Sequence, residues 1–293
     1  MKKIKNIYTF GTSFTNGGGF EFDTESKNQL KKYYDVLEIP LKKENFKWTY
    51  LLSNLLNQKI NITNLSKDGF GNERMYRKIF ELSSEENFLP SENLFVLELS
   101  DLGRKEVFSP KDKKYGIINY DIESLKLYGN SFNYFQDQYQ FHLDDITNAW
   151  DVFNKKQFDF QSEMIKLYNS LMGVISYLEF MKIPYIILEG SIIRHSPHNT
   201  HFYDKIQEKV ITVEGEGLFA FLTQHDYTIK GELQNIWPDG HWGYTGNIVM
   251  ADLVFNKMID LNYSNEKKIP FDETISKTNS VLEILEKNIK QYL

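Results

Sequence analysis

The stretch NLFVLELSD, residues 93–101, decides the fold that we predict from the sequence. It is a short, almost continuous run of apolar residues. Such a run is typical of a central strand in a parallel sheet, where helices cover both faces of the strand and leave neither face to water. Residues 4–10, 60–66 and 183–191 are predicted as further strands, because they are short and rich in β-branched and aromatic residues.

Four other segments have the spacing of apolar residues that is typical of amphipathic helices. They are residues 46–58, 71–83, 161–182 and 243–260. In the third segment, the apolar face is predicted to contain Met164, Tyr168, Leu171, Ile175 and Leu178. Strands that alternate with helices indicate a parallel sheet with helices on both faces, which is the three-layer α/β/α class.

Two long segments do not fit this alternation, and we interpret both as insertions at strand ends. The first covers about 104–160 and is polar and aromatic, whereas the second covers about 194–236 and contains several histidines. We predict one domain over residues 1–262, followed by a linker and an amphipathic helix over residues 263–293. The apolar stripe of that helix has two interpretations: it packs against the domain, or it contacts a partner such as a second copy of the chain in a homo-oligomer.

The composition excludes several classes of protein. The 293 residues carry a formal net charge of −6, which argues against non-specific nucleic-acid binding. No apolar stretch approaches the ~18 residues of a membrane-spanning helix, and the basic start lacks the apolar segment of a signal peptide, so we expect a cytoplasmic protein. Cysteine is absent, which excludes disulfides and thiolate metal sites. The abundance of Lys, Asn, Ile, Tyr and Phe indicates an AT-rich genome, such as that of a phage or of a small-genome bacterium.

The segment GTSFTNGGG, residues 11–19, follows the first predicted strand and has three interpretations. A phosphate-binding loop is disfavoured, since the segment has neither the lysine of a Walker-type loop nor the glycine spacing of a dinucleotide-binding turn. Ser13 as the cap of a following helix is the purely structural interpretation. Ser13 as a nucleophile is the functional one, because parallel α/β sheets place their sites at the carboxyl ends of strands.

The segment WPDGHWG, residues 237–243, contains the residue types that such a nucleophile requires. Asp239 and His241 lie in a Pro/Gly-rich loop just before the predicted helix at 243–260. A carboxylate beside a histidine sets the tautomer of the imidazole and stabilises its charged form. The alternative is that Asp239 is a turn residue and His241 an ordinary loop histidine.

Taken together, these stretches resemble the sequence blocks of the SGNH (GDSL-type) hydrolase family. FGTSFTNG resembles the first block, NLSKDGFGNERM the second, ELSD the third and PDGHWGYTGN the fifth, in the family's order and across nearly the whole chain. The resemblance implies a flavodoxin-like sheet and a serine esterase or deacylase that uses no metal or cofactor. It also implies roles for four residues: Ser13 as nucleophile, His241 as base, Asp239 as acid and Gly69 as an oxyanion donor.

The chain departs from the family pattern at three places. Thr12 replaces the aspartate before the serine, and Ser100 stands where the third block has an asparagine. We therefore expect Ser100 or Asn72 to supply the third oxyanion donor. One residue separates Asp239 from His241, where the family has two. The departures at Ser100 and at the Asp239–His241 spacing support an alternative function, a catalytically degenerate binding or structural protein on the same fold.

Further candidate residues concern the substrate and metal ions. Arg104 follows the third predicted strand and is predicted to bind substrate, the alternative being a surface ion pair with Asp101 or Glu106. The aromatic insertion favours O-acyl groups on carbohydrate as the substrate, with other small-molecule esters left open; the alternative is that these aromatic residues form the small core of an added subdomain. The spacing of His195, His198 and His201 matches no zinc signature, so we predict no metal site there; the interpretations are a plain surface loop or a polar loop at the substrate entrance.

Overall fold

The computed structural model describes residues 4–12, 15, 47–57, 59–67, 71–100, 104–109, 114–119, 160–188, 206–211, 244–270 and 274. Their strands are β1 (Asn6–Phe10), β2 (Asn61–Asn64), β3 (Asn93–Glu98), β4 (Arg104–Ser109), β5 (Lys114–Asn119), β6 (Tyr185–Leu188) and β7 (Val210–Ile211). Their α-helices are α1 (Trp48–Leu55), α2 (Asn72–Ser83), α3 (Phe160–Phe180) and α4 (Tyr244–Asp260). The four strands of the main sheet and the four helices that the sequence predicted are all confirmed, with ends that differ by a few residues.

Five of the described strands form one parallel sheet in the order β2-β1-β3-β6-β7. Numbered within the sheet alone, this is the order 2-1-3-4-5 of flavodoxin-like folds. Every residue of β3 is buried, because this strand lies in the middle of the sheet and helices cover both of its faces. The predicted α/β class and the central position of the 93–98 strand are confirmed.

The side chains of β3 alternate between two apolar cores on opposite faces of the sheet. Leu94 and Val96 pack with α1 and α4, whereas Phe95 and Leu97 pack with α2 and α3. All four side chains are completely buried. Burial of each such side chain contributes about 1.5–3 kcal/mol to stability, so this strand anchors both halves of the core.

The apolar face predicted for the third helix is confirmed in α3. The buried residues of this face are Tyr168, Leu171, Ile175 and Leu178, which belong to the core beneath α2 and α3. The side chain of Met164, which we also predicted on this face, lies outside the described residues.

The insertion predicted after β3 contains an antiparallel hairpin of its own. Strands β4 and β5 pair with each other, and neither belongs to the parallel sheet. The insertion predicted at 194–236 needs a correction, because residues 210–211 within it form β7, the edge strand of the main sheet. A strand of two residues has no periodicity for sequence reasoning to detect. The rest of this segment, apart from 206–209, lies outside the described residues.

Helices α1 and α4 run antiparallel to the strands and begin at the carboxyl edge of the sheet. The end of α1 lies near the opposite edge, since β2 begins at Asn61 shortly after it. The end of α4 lies there too, because Lys209, just before β7, donates to the hydroxyl of Tyr263 at 3.2 Å. The other ends of the two helices meet, where the N–H of Trp48 donates to Oδ1 of Asn247 at 3.0 Å.

The beginning of the predicted linker packs against α4. The N–H of Tyr263 donates to the carbonyl of Met258 at 2.7 Å, and the hydroxyl of Thr274 donates to Asp252 at 2.5 Å. The predicted C-terminal helix lies outside the described residues, so the domain boundary at residue 262 stays a prediction. None of the helices in the described ranges is long and apolar enough to cross a membrane.

Candidate active site

Four of the seven predicted site residues lie outside the described part of the chain, and so their mutual geometry stays a prediction. These four are Ser13, Gly69, Asp239 and His241. The same holds for His195, His198 and His201. The structure describes Asn72 and Ser100 in full, together with the backbone of Arg104 at the start of β4.

A buried carboxylate at the carboxyl end of β3 binds the chain that follows β1. The N–H groups of Thr12 and Thr15 both donate to Oε2 of Glu98, at 3.1 and 3.0 Å. The hydroxyl of Thr12 donates to Oε1 at 2.5 Å. All three residues are buried. One side chain therefore holds the backbone immediately before and after residues 13–14.

Asn64, the last residue of β2, holds the same segment from the neighbouring strand. Its Nδ2 donates to the carbonyl of Thr15 at 2.9 Å. Its Oδ1 accepts from the hydroxyl of Thr9 and from the N–H of Ser66, both at 3.0 Å. The N–H and the carbonyl of Thr15 are thus fixed from two different strands, which is possible because β1 lies between β2 and β3 in the sheet.

Asn72 and Ser100, the two residues predicted as alternative oxyanion donors, contact each other. Nδ2 of Asn72 donates to the carbonyl of Ser100 at 3.0 Å, and the N–H of Ser100 donates to Oδ1 of Asn72 at 2.9 Å. Asn72 begins α2 directly after Gly71, whose backbone is extended. The pair therefore fixes the N-terminus of α2, where backbone N–H groups favour negative charge, beside the end of β3.

Burial raises the pKa of Glu98 above its ordinary value of 4.5, and the hydrogen bonds from Thr12 and Thr15 oppose that rise. A buried carboxylate is tolerated when donors satisfy its oxygens, as they do here. Gly11 provides the space that the carboxylate occupies, since a Cβ at position 11 would lie 2.6 Å from Cβ of Glu98. The absence of a side chain at Gly11 therefore leaves room for the Glu98 carboxylate and for its hydrogen bonds to Thr12.

The hairpin of β4 and β5 is attached to α2 by a two-pronged ion pair. Arg77 donates through Nε and one Nη to the two carboxylate oxygens of Glu106, at 3.0 and 2.6 Å. The Glu106 side chain is 4% exposed. Arg77 also donates to Glu81 on its own helix. The hairpin is thus fixed to the helix that begins at the carboxyl edge of the sheet; the side chain of Arg104 lies outside the described residues.

Sequence reasoning missed Glu98 and Asn64, although a signal for Glu98 was present. A glutamate inside an otherwise apolar strand is rarely buried unless its carboxylate has partners, and the stretch NLFVLELSD contains one. Asn64 had no comparable signal, because an asparagine after an apolar run is also an ordinary turn residue. No group of three metal-ligating side chains occurs among the residues that the structure describes.

Comparisons with solved structures find distant similarities. The chain is similar to a member of the lipolytic protein G-D-S-L family from Veillonella parvula, with 14% identity over 88% of this chain and 97% of that chain and a TM-score of 0.42. It is also similar to the psychrotrophic esterase EstA from Pseudoalteromonas, with 10% identity over 89% of this chain and all of that one and a TM-score of 0.46. No protein-family model matches the sequence, and no curated protein does.

The first of these two proteins belongs to the family whose motifs the sequence resembles. Identities and TM-scores this low carry no argument about activity or about individual residues. The function of this chain is therefore inferred from the residues at the carboxyl edge of its own sheet.

Proposed function

We propose that the protein is a serine ester hydrolase, with Ser13 as the nucleophile, His241 as the general base and Asp239 as the acid that orients it. One observation carries this proposal: the buried hydrogen bonds that fix Thr12 and Thr15 on the two sides of residues 13–14, at the carboxyl edge of the central strands. A surface turn has no need of a buried carboxylate, which is costly to desolvate. A loop that presents a nucleophile does need a fixed backbone.

The position of α4 supports the role of His241. Helix α4 begins at Tyr244, three positions after His241, and its first turn lies at the carboxyl edge beside the start of α1. Three residues of extended chain span about 10 Å at most. The loop that carries Asp239 and His241 therefore joins the described chain at the edge of the sheet where β1 and β3 end.

The proposed chemistry is acyl transfer in two steps. Ser13 Oγ attacks the ester carbonyl as His241 takes its proton, and the tetrahedral intermediate expels the alcohol, which receives that proton from His241. Water then attacks the acyl-enzyme, giving its proton to His241, and the carboxylic acid leaves as the Ser13 hydroxyl is restored. Asp239 stabilises the imidazolium that forms in both steps.

The oxyanion is proposed to be bound by the N–H groups of Ser13 and Gly69 and by a third donor. The contact between Asn72 and Ser100 narrows the choice of that donor. The N–H of Ser100 and one hydrogen of the Asn72 amide already donate within this pair. The third donor is proposed to be the second hydrogen of Asn72 Nδ2 or the hydroxyl of Ser100.

Carbohydrate O-acyl groups are the proposed substrate class. The support is the hairpin that Arg77 fixes beside the site, since it leads into the aromatic segment of residues 120–160, and aromatic rings are suited to stacking on sugars. The proposal for Arg104 is that its guanidinium binds polar groups of that substrate.

The test compares the wild type with Ser13→Ala and, as a matched control, Ser91→Ala. Ser91 is exposed and lies just before β3, at the opposite edge of the sheet. We expect a fluorophosphonate probe to label the wild type and Ser91→Ala but not Ser13→Ala. Hydrolysis of acetylated oligosaccharides and of a nitrophenyl ester should show the same pattern. Equal turnover by wild type and Ser13→Ala would remove the proposed mechanism.

The second candidate is a catalytically degenerate protein that binds such esters without cleaving them. The observation that favours it is the pair of hydrogen bonds between Asn72 and Ser100, which occupies one hydrogen of the Asn72 amide and the N–H of Ser100. Loss of one oxyanion donor lowers turnover about 10²–10³-fold. In this case acetylated oligosaccharide would bind in calorimetry, while neither hydrolysis nor probe labelling of Ser13 would occur.

A further inference from the structure

We propose that Glu98 is a positioning residue for catalysis: its carboxylate sets the backbone on both sides of Ser13, and so determines how fast that serine reacts. This inference rests on the proposed function. It assigns a role to a side chain that contacts the loop rather than the substrate. Thr12 stands where the resembled family has an aspartate, and here the carboxylate reaches the loop from β3 instead.

The geometry of the three hydrogen bonds supports positioning over simple capping. Two donors, the N–H groups of Thr12 and Thr15, converge on one oxygen, while the Thr12 hydroxyl binds the other. Residues 12 and 15 are therefore held at a fixed separation by a rigid carboxylate. Only two residues separate Thr12 from Thr15 in the sequence, so Ser13 directly follows one of the two fixed positions.

The carboxylate itself is held firmly. Glu98 belongs to β3, the central strand, and its backbone pairs with Leu188 of β6. Asn64 fixes the carbonyl of Thr15 from the opposite side, so the loop cannot turn about Glu98. A site on a rigid element, with its loop fixed from two strands, keeps the reacting atoms within the small tolerance that catalysis requires.

Three variants separate this role from general stability. Glu98→Ala removes all three hydrogen bonds, whereas Glu98→Gln keeps an oxygen that can accept both N–H groups. The matched control is Asn93→Ala, at the other end of the same strand, which loses partly buried hydrogen bonds to Leu89 and Asn6 far from the loop. Each is assayed at a temperature where circular dichroism shows it folded. If Glu98→Ala does not fold, Thr12→Val takes its place, because it removes one bond and keeps the volume.

Glu98→Ala is expected to lower kcat and the rate of phosphonate labelling by about 10²-fold with a smaller change in KM, since misplacement by about 1 Å costs this much. Glu98→Gln should stay within about 10-fold of the wild type, because the charge-assisted part of the bonds is lost and their geometry is kept. Thr12→Val should fall about 10-fold. Asn93→Ala should lower the melting temperature and leave kcat unchanged.

Two results would overturn the inference. One is an equal loss of kcat in Glu98→Ala and Asn93→Ala; the other is a Glu98→Gln variant as slow as Glu98→Ala. Amide hydrogen exchange at Thr12 and Thr15 gives a readout that does not depend on activity, and it should quicken in Glu98→Ala alone. Failure of the hydrolase proposal is seen separately, as a wild type that neither turns over ester nor labels at Ser13.

Discussion

The side-chain amide of Asn72 and the backbone of Ser100 form a ring of two hydrogen bonds, at 3.0 and 2.9 Å, that joins the start of α2 to the end of β3. An asparagine side chain has the same donor and acceptor as a peptide group, so it pairs with a strand end as a further strand would. This contact keeps α2 and its N-terminal N–H groups at the candidate site.

Substitution of Asn72 should therefore destabilise the protein. Asn72→Ala removes the two buried hydrogen bonds that the amide makes with the N–H and the carbonyl of Ser100. We expect the free energy of unfolding to fall by about 2 kcal/mol. Asn72→Asp should lose nearly as much, because a carboxylate accepts from the Ser100 N–H but repels its carbonyl. The exposed Asn61→Ala is the control, with a change below about 0.5 kcal/mol. Urea unfolding measures all three; equal values for Asn72→Ala and Asn61→Ala would contradict the prediction.

The second prediction concerns Gly11. In Gly11→Ala the new Cβ would lie 2.6 Å from Cβ of Glu98, which three hydrogen bonds hold in place. We expect a loss of about 1–3 kcal/mol from overpacking and a simultaneous loss of ester hydrolysis. Gly173→Ala is the matched control, since its Cβ would meet nothing within 4 Å. Alanine favours helix by about 1 kcal/mol over glycine, so this variant of α3 should be more stable. A Gly11→Ala protein as stable as the wild type would show that Glu98 can move.

The third prediction is a pH dependence that originates at Glu98, whose pKa burial raises above 4.5. At pH values between 4.5 and the pKa in the folded state, the folded chain keeps the proton of Glu98 and the unfolded chain loses it. The free energy of unfolding of the wild type therefore decreases as the pH rises through this range. Glu98→Gln does not titrate. The stability of Glu98→Gln minus that of the wild type should therefore increase with pH above about 4.5 and level off once the folded pKa is passed.

Urea unfolding of the two proteins at a series of pH values measures this difference. Thr12 and Thr15, the residues that contact the carboxylate, do not titrate in this range, so the slope reports on Glu98. A difference that is constant over the series, or that decreases as the pH rises, would show that the folded pKa is not raised.

The fourth prediction concerns the ion pair between α2 and the hairpin. Arg77→Ala leaves the buried carboxylate of Glu106 without this partner, and we expect the free energy of unfolding to fall by about 3 kcal/mol. Adding Glu106→Gln should recover part of this loss, because it removes the unpaired charge. Lys78→Ala, which breaks an exposed pair with Glu81 on the same helix, is the control and should cost about 0.3–0.5 kcal/mol. Thermal and urea unfolding measure the stability of all three variants. A small effect of Arg77→Ala would show that the hairpin is held by other contacts.

The sequence was sufficient for the strands and helices that bury continuous or periodic apolar residues. Residues 93–98 could be predicted as a central strand because each of its side chains has to be hidden from water on one face or the other. The two-residue strand β7 could not be predicted, because so short a segment has no period. It is a strand because β6 offers it an edge to pair with.

The sequence by itself also determined that Thr12, Ser100 and Asn72 lie at the carboxyl edge, since each lies at the end of a predicted strand or at the start of a predicted helix. Which of them contact each other was decided by the tertiary structure alone. Glu98 and Thr12 are far apart in the chain, and they meet because β1 and β3 are neighbours in the sheet. Partner choice of this kind depends on strand order and on the direction of each side chain. Hydrophobic periodicity predicts each strand or helix separately. It contains no information on strand order or on the direction of each side chain.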